Sequence, residues 1–236
     1  MQALESILNP QEIKDTIQKV FDLKEHWTLR ADSLGDIPFY SLGAAAYMDI
    51  TEHGWEAYQE KFKKTNPILL ENFKDLYTKV FAELEKYYDK KFELFENAAF
   101  PGFHIFLNND VFEIALASRH VDLQYKNIDW QGIKVDPSKS ISFTLYLELP
   151  KNGGGVYYWD LFYEDLCHLE YKEREEEIHK HERKTKLFKP GDIFIHNGHQ
   201  YHQIAPFFDI EPEDQRISLQ GHAIYAPDLD KYLVHW

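Results

Sequence analysis

A single cysteine in 236 residues, Cys167, excludes an internal disulfide and the cross-linked frameworks of small secreted domains. No apolar run approaches the roughly 18 to 20 residues that a membrane-spanning helix needs. The opening MQALESILNPQEIKD has neither a basic leader nor an apolar stretch, so a reducing, cytoplasmic setting without a membrane partner is expected. Positive charge is scarce too: 26 Lys and Arg stand against 40 Asp and Glu, a formal net charge of -14. That surplus repels phosphate backbones and anionic lipid, which excludes a broad nucleic-acid footprint. Aromatic residues, by contrast, are abundant. At 16%, with 15 Tyr and 17 Phe, they exceed what a disordered acidic chain carries and point to a packed globular protein. A chain of this length buries roughly 70 to 75% of its unfolded surface, enough for a core with a pocket cut into it. One domain spanning 1–236 is the expectation.

The N-terminal part reads as helical. Asn9 stands in the cap position, Pro10 in the first helical position and Glu12 in the capping-box place, ahead of Ile13, Ile17, Val20 and Phe21 at helical spacing. Residues 26–54 break the period and read as loop and irregular structure. Thr65-Asn66-Pro67 has the form of a second cap. It is expected to open a long amphipathic helix whose stripe Leu69, Phe73, Leu76, Tyr77, Val80, Phe81, Leu84, Tyr87 and Tyr88 faces a sheet.

From Phe100 the texture changes. FPGFHIFL, VFEIALASRHVDLQY, SISFTLYLEL, GVYYW, KLFKPGDIFI, YHQIAPFF and RISLQGHAIY are short and rich in β-branched and aromatic residues, with Gly, Pro and Asn between them. Helices in 1–99 and strands in 100–236 predict an α+β fold, with helices buttressing a β-sandwich or barrel. The charged segment 161–186 interrupts the strands and reads as a surface insertion, with a lid over a pocket mouth as the sharper alternative. Gly153 to Gly155 lack the Lys-Ser/Thr context of a phosphate loop and read as a strand turn. Cys167 reads as a small buried apolar residue. His179 and His181 lie among Lys and Glu, as on a solvated helix face.

Among twelve histidines, one pair stands out: Arg119-His120-Val121-Asp122. In a strand, residues two apart share a face, so His120 and Asp122 offer an imidazole nitrogen and a carboxylate oxygen to one ion. A third ligand from the distant run HNGHQYH, which holds His196, His199 and His202, completes a set of two histidines and one carboxylate. That set suits non-haem iron with open positions for a co-substrate and dioxygen.

Further signals surround the pair: Ser142-Phe143-Thr144-Leu145-Tyr146-Leu147, the glycines 153–155, Gly191-Asp192 ahead of Ile193-Phe194-Ile195, then His202, and finally Arg216-Ile217-Ser218. In this order, over about residues 100–225, the chain resembles the iron(II)/2-oxoglutarate-dependent dioxygenase superfamily. The resemblance implies a double-stranded β-helix (jelly-roll, cupin-like) core, with His120, Asp122 and His202 as iron ligands. It also implies Arg216 and Ser218 as partners of the C5 carboxylate of 2-oxoglutarate. A planar guanidinium forks onto a carboxylate, and a hydroxyl two residues on faces the same way.

Within HNGHQYH, His202 is favoured because the family places its ligand just before an apolar residue and a proline, as in Gln203-Ile204-Ala205-Pro206. His199 is the runner-up, and His196 closes the preceding strand. The loop PFFDIEPEDQ before Arg216 is longer than the family's usual connection and is expected to bring acidic side chains to the pocket rim. His104, Thr144 and Tyr146 are further pocket candidates.

The activity implied is hydroxylation of a C–H bond in a small molecule such as an amino acid or metabolite, with iron(II), 2-oxoglutarate and O2 as cofactors and release of succinate and CO2. A peptide or protein side chain is the second substrate class, and a cupin-like metalloenzyme that does not use 2-oxoglutarate is the alternative chemistry.

Overall fold

The computed structural model of the chain describes residues 2–30, 37–115 and 117–236. In chain order the elements are β1 (Gln2–Leu4), α1 (Pro10–Asp22), β2 (Trp27–Leu29), β3 (Phe39–Leu42), α2 (Ala46–Tyr88), β4 (Lys91–Leu94), β5 (Gly102–Phe106), β6 (Asp136–Glu148) and β7 (Val156–Phe162). They continue with α3 (Tyr163–Leu166), α4 (Tyr171–His179), β8 (Lys184–Lys186), β9 (Ile193–Asn197), β10 (Gln200–Ile204), β11 (Arg216–Ala226) and β12 (Lys231–His235). A large sheet runs β1-β9-β6-β11-β5-β3-β2, with β12 on the far half of β11 and β4 parallel to β12. A small antiparallel sheet runs β10-β7-β8.

Strand parity divides the large sheet into two chemistries. Along β6, Ile141, Phe143, Leu145 and Leu147 join the core beneath α2, as do Ile193 and Ile195 of β9 and Ile217 and Leu219 of β11. From α2 itself Leu69, Phe73, Leu76, Tyr77, Val80 and Leu84 meet them, so the predicted stripe does face a sheet. The alternate residues, Ser142, Thr144 and Tyr146 with Phe194, His196, Arg216, Gln220 and His222, line a cavity between the two sheets. Each strand thus presents an apolar side to the helix and a polar side to the cavity.

The predicted capping of α1 is present in full: Asn9 Oδ1 accepts from the backbone N–H groups of Gln11 and Glu12, and Glu12 accepts from Asn9 N–H. Three other expectations need correction. Helix α2 does not begin at Thr65-Asn66-Pro67; it starts at Ala46, is interrupted by non-helical backbone at Gly54 and Phe73, and carries Pro67 inside. Asn66 is no cap. It is buried and bridges the approach to β5, donating to Ala98 O at 2.9 Å and accepting from Phe100 N–H at 2.9 Å. Second, the stretch 26–54 is ordered over much of its length: it holds β2, β3 and the first turns of α2, with 31–36 outside the described residues. Third, VFEIALASRHVDLQY forms no strand among its described residues. It contains 3-10 turns at Asp110–Glu113 and Gln124–Asn127 around an isolated bridge at His120.

The charged insertion folds as α3 and α4 on the back of the small sheet. Leu166 and Ile178 pack there against Tyr157, Trp159, Leu161 and Tyr201, and none of its described residues lines the cavity. It is therefore a surface cover and not a lid. Cys167, expected to be buried, is exposed. No helix among the described residues is long and apolar enough to cross a membrane.

Candidate metal centre

His120 and His202 stand directly opposite each other. Their backbones exchange two hydrogen bonds, His120 N–H to His202 O at 3.0 Å and His202 N–H to His120 O at 2.9 Å, so both side chains leave from one point. Asp122 is tied nearby through its N–H to Gly198 O, at 2.6 Å. Glycine is required at 198 because a Cβ there would lie 2.7 Å from Asp122 O. One ligand atom from each of His120, Asp122 and His202 lies within 4.8 Å of the others. His202 Nε2 is 3.5 Å from Asp122 Oδ2, and His120 Nε2 is 3.8 Å from Asp122 Oδ1.

The ring orientations suit metal donation. His120 Nδ1 donates to Ser118 O at 2.8 Å and His202 Nδ1 to Gln200 O at 2.9 Å. A carbonyl only accepts, so each Nδ1 carries the hydrogen and each Nε2 keeps its lone pair. Burial works against the charge on Asp122, but the imidazoles of His202, His222, His196 and His120, once protonated in acid, outweigh it and hold the carboxyl far below its usual range. Burial likewise holds His202 well below the usual imidazole range. A carboxylate and a neutral imidazole at neutral pH are the forms that bind a metal.

The other histidines of HNGHQYH part company. His199 turns away to Glu164 and to the Tyr125 hydroxyl, 2.9 Å off, and takes no part in the cluster. His196 does more than close β9: it is buried on the cavity wall, with Nε2 3.6 Å from Asp122 Oδ2. Parity with Phe194 on the same face was the signal that placed it there. Gln124 was also missed; its amide donates to Asp122 Oδ1 at 3.2 Å. The insertion braces the same segment, since Arg119 donates to His179 Nε2 at 3.1 Å and pairs with Glu175 at 3.3 Å.

At another part of the cavity Arg216 is 2% exposed, and its Nε and Nη1 find no hydrogen-bond partner among the described residues. Its guanidinium lies 5.4 Å from the ring centre of Tyr146 and 5.8 Å from that of Phe106. Tyr146 Oη is equally without a partner. Burial lowers the Arg216 pKa, yet a guanidinium remains charged, and no carboxylate among the described residues pairs with it. Ser218 shares the strand face of Arg216 but is fully covered; its Oγ accepts from the Gln220 amide at 3.1 Å. Gln220 and Thr144, hydrogen-bonded to each other at 3.0 Å, are what reach the wall there. His104 and Tyr146 line the cavity as expected. The acidic residues of PFFDIEPEDQ do not: Glu211 pairs with Lys151, Asp214 accepts from Lys151 and Glu211 N–H, and only Pro206 and Phe207 of that loop meet the cavity. The cavity volume is about 440 Å³.

No protein-family profile and no curated protein sequence matches the chain. Solved structures do resemble it. An N-substituted L-amino acid dioxygenase from Burkholderia ambifaria AMMD, in complex with α-ketoglutarate (2-oxoglutarate), is 12% identical over 98% of this chain and 84% of that one, with a TM-score of 0.54. The non-haem α-ketoglutarate-dependent epimerase SnoN from nogalamycin biosynthesis is 11% identical over 94% and 79%, also at 0.54. HygX from Streptomyces hygroscopicus, solved with nickel and 2-oxoglutarate, is 9% identical over 93% and 81%, at 0.50. The chain therefore has the fold that these 2-oxoglutarate-binding proteins share.

Proposed function

We propose that the protein is an iron(II)- and 2-oxoglutarate-dependent oxygenase that hydroxylates a C–H bond of a small molecule, releasing succinate and CO2. The reading takes residues 1–236 as one cytoplasmic domain with a double-stranded β-helix core. The observation that carries it is the meeting, in one cavity, of a two-histidine, one-carboxylate cluster and a buried guanidinium that has no carboxylate partner among the described residues. Both halves fit the absent groups. Two Nε2 lone pairs and a carboxylate make the donor set of non-haem iron(II), and a buried arginine with two nitrogens free of partners among the described residues fits a carboxylate. The likeness of the fold to structures holding 2-oxoglutarate agrees.

When bound, iron and 2-oxoglutarate supply the oxidising chemistry by reducing dioxygen as the co-substrate is decarboxylated. The chain's part is positioning. His120, Asp122 and His202 hold the metal, their orientation fixed by Ser118 O, Gln200 O and the Gln124 amide. Arg216 holds the co-substrate's far carboxylate, with Ser218 acting through Gln220. The aromatic wall excludes water from the reacting centre.

The test is anaerobic titration with iron(II) and 2-oxoglutarate, watching for the visible charge-transfer band of the chelate. Arg216→Ala should weaken 2-oxoglutarate binding far more than iron binding, and His202→Ala should lose iron while His199→Ala keeps it. A native protein that binds iron but shows no band with 2-oxoglutarate overturns the co-substrate assignment. Loss of iron in His199→Ala overturns the ligand set.

A further inference from the structure

We propose that His196 is a fourth protein ligand of the metal, so that without co-substrate the ion is held by three imidazoles and one carboxylate. This rests on the metal cluster alone and not on 2-oxoglutarate.

His196 is 5% exposed and stands on β9 facing the cavity, its ring stacked 5.0 Å from that of Phe194. Its Nδ1 lies 3.0 Å from Asn197 O. A carbonyl only accepts, so Nδ1 carries the hydrogen and Nε2 keeps its lone pair. His120 and His202 are set in the same way, each with Nδ1 on a backbone carbonyl, which is how proteins orient imidazoles that ligate metals. The other two histidines of the cavity wall differ. His222 Nδ1 meets the Ser142 hydroxyl at 2.9 Å, and His104 Nε2 meets the Tyr47 hydroxyl at 3.0 Å.

Distances place the third imidazole beside the first two. Asp122 Oδ2 is 3.6 Å from His196 Nε2 and 3.5 Å from His202 Nε2, and Asp122 Oδ1 is 3.8 Å from His120 Nε2. The His202 ring lies 4.3 Å from that of His120 and 4.4 Å from that of His196, so His202 neighbours both. His196 falls outside the set whose ligand atoms all lie within 4.8 Å of one another, as a ligand across the ion from His120 should. Donors about 2.1 Å from an octahedral ion are about 3.0 Å apart when adjacent and about 4.2 Å apart when opposite. The adjacent pairs here are wider, at 3.5 to 3.8 Å, and the same widening takes an opposite pair to about 5 Å.

Without an ion the arrangement is unfavourable. His196 Nε2 has no hydrogen-bond partner among the described residues, and it faces a second acceptor, the Asp122 carboxylate. Two buried acceptors side by side are costly, and a cation satisfies both. On the oxygenase reading, a chelating co-substrate and dioxygen together need three of six positions, so one of four protein ligands has to yield. His196 is the imidazole outside the backbone bridge that fixes His120 and His202.

Electron paramagnetic resonance of the protein loaded with less than one equivalent of copper(II), without 2-oxoglutarate, tests the proposal, because nitrogen hyperfine splitting counts the ligating imidazoles. The native protein should show three. His196→Gln and His202→Gln should each show two, and His199→Gln three, with circular dichroism checking the fold. A residue that only supports the site from outside lowers metal affinity by about 10- to 100-fold but leaves the count unchanged, so the count decides. A native count other than three, or three nitrogens remaining in His196→Gln, overturns the proposal. The native count needs no variant and stands even if His196→Gln misfolds. The iron and 2-oxoglutarate band, recorded on the same protein, reports separately on the oxygenase reading.

Discussion

Acidification of the metal-free protein should unfold it in a pH window set by buried histidines. Five imidazoles, those of His104, His196, His202, His222 and His235, are held below the ordinary value of 6.5, in each case first by burial. For His196 the value is about 4. As pH falls below 6.5 the unfolded chain takes up a proton at each such residue while the folded chain does not. The stability they contribute is thus complete above 6.5 and is lost on the way down. For His196 the difference of 6.5 against about 4 is worth about 3 kcal/mol once the lower value is passed. Asp49 and Asp122 have carboxyls held below the ordinary 3.8, so their contribution is lost only in more acid solution. Glu148, raised by burial, opposes the trend near the bottom of the window. Urea titrations across this range, with chelator present, should show a falling midpoint. His235 lies off the cavity wall, against Trp130 and His222, and is the residue to remove. His235→Gln should flatten the slope by up to about 1.4 kcal/mol per pH unit. A midpoint that stays level between 6.5 and 4, or a slope unchanged in His235→Gln, refutes the reasoning.

Other perturbations have equally definite outcomes. In Gly102→Ala the new Cβ would lie 2.1 Å from the Trp236 ring and 2.5 Å from Leu42 O, so a loss of about 1 to 3 kcal/mol and a shift in Trp fluorescence should follow; native-like values in both would show that the ring can move aside freely. Gln124→Leu removes the donor to Asp122 Oδ1 and should weaken iron binding by about 10- to 100-fold while leaving the urea midpoint nearly unchanged, whereas full affinity would mean that Asp122 needs no such support. Asn66→Leu strands Ala98 O and Phe100 N–H in the core and should cost about 3 kcal/mol in chemical denaturation; a neutral result would show that solvent reaches these groups.

How far the sequence could be read depended on whether local chemistry had one meaning or two. Asn9-Pro10 with Glu12 has one, and the capping box it predicts is present. Thr65-Asn66-Pro67 has two. Its amide is used across the core instead of at a helix end, which only the tertiary fold reveals. The strands β6, β9 and β11 alternate in polarity and were legible; β1, β4, β8 and β12 are three to five residues long and owe their pairing to neighbours distant in sequence. The segment around His120 is rich in apolar and β-branched residues, yet it forms a single bridge, because its apolar side chains fill local clusters and not a sheet face. At the site, the cluster of His120, Asp122 and His202 could be anticipated from order along the chain. Gln124 could not, since a lone Gln in irregular sequence has no pattern to mark it.

The reciprocal backbone bonds between His120 and His202 separate the metal centre from the lengths of the loops around it. The distance between the two imidazoles is set by one bridged residue pair, whatever the chain does before Ser118 or after Gln124. Phe112 lies in the segment ahead of that bridge and Phe207 in the one that follows β10, and both belong to the apolar wall. Residues can therefore be inserted or exchanged in these segments, recasting the cavity for a new guest, while the two imidazoles keep their spacing. The fold treats reactivity and selectivity as separable modules, and selection can work on the second without re-inventing the first.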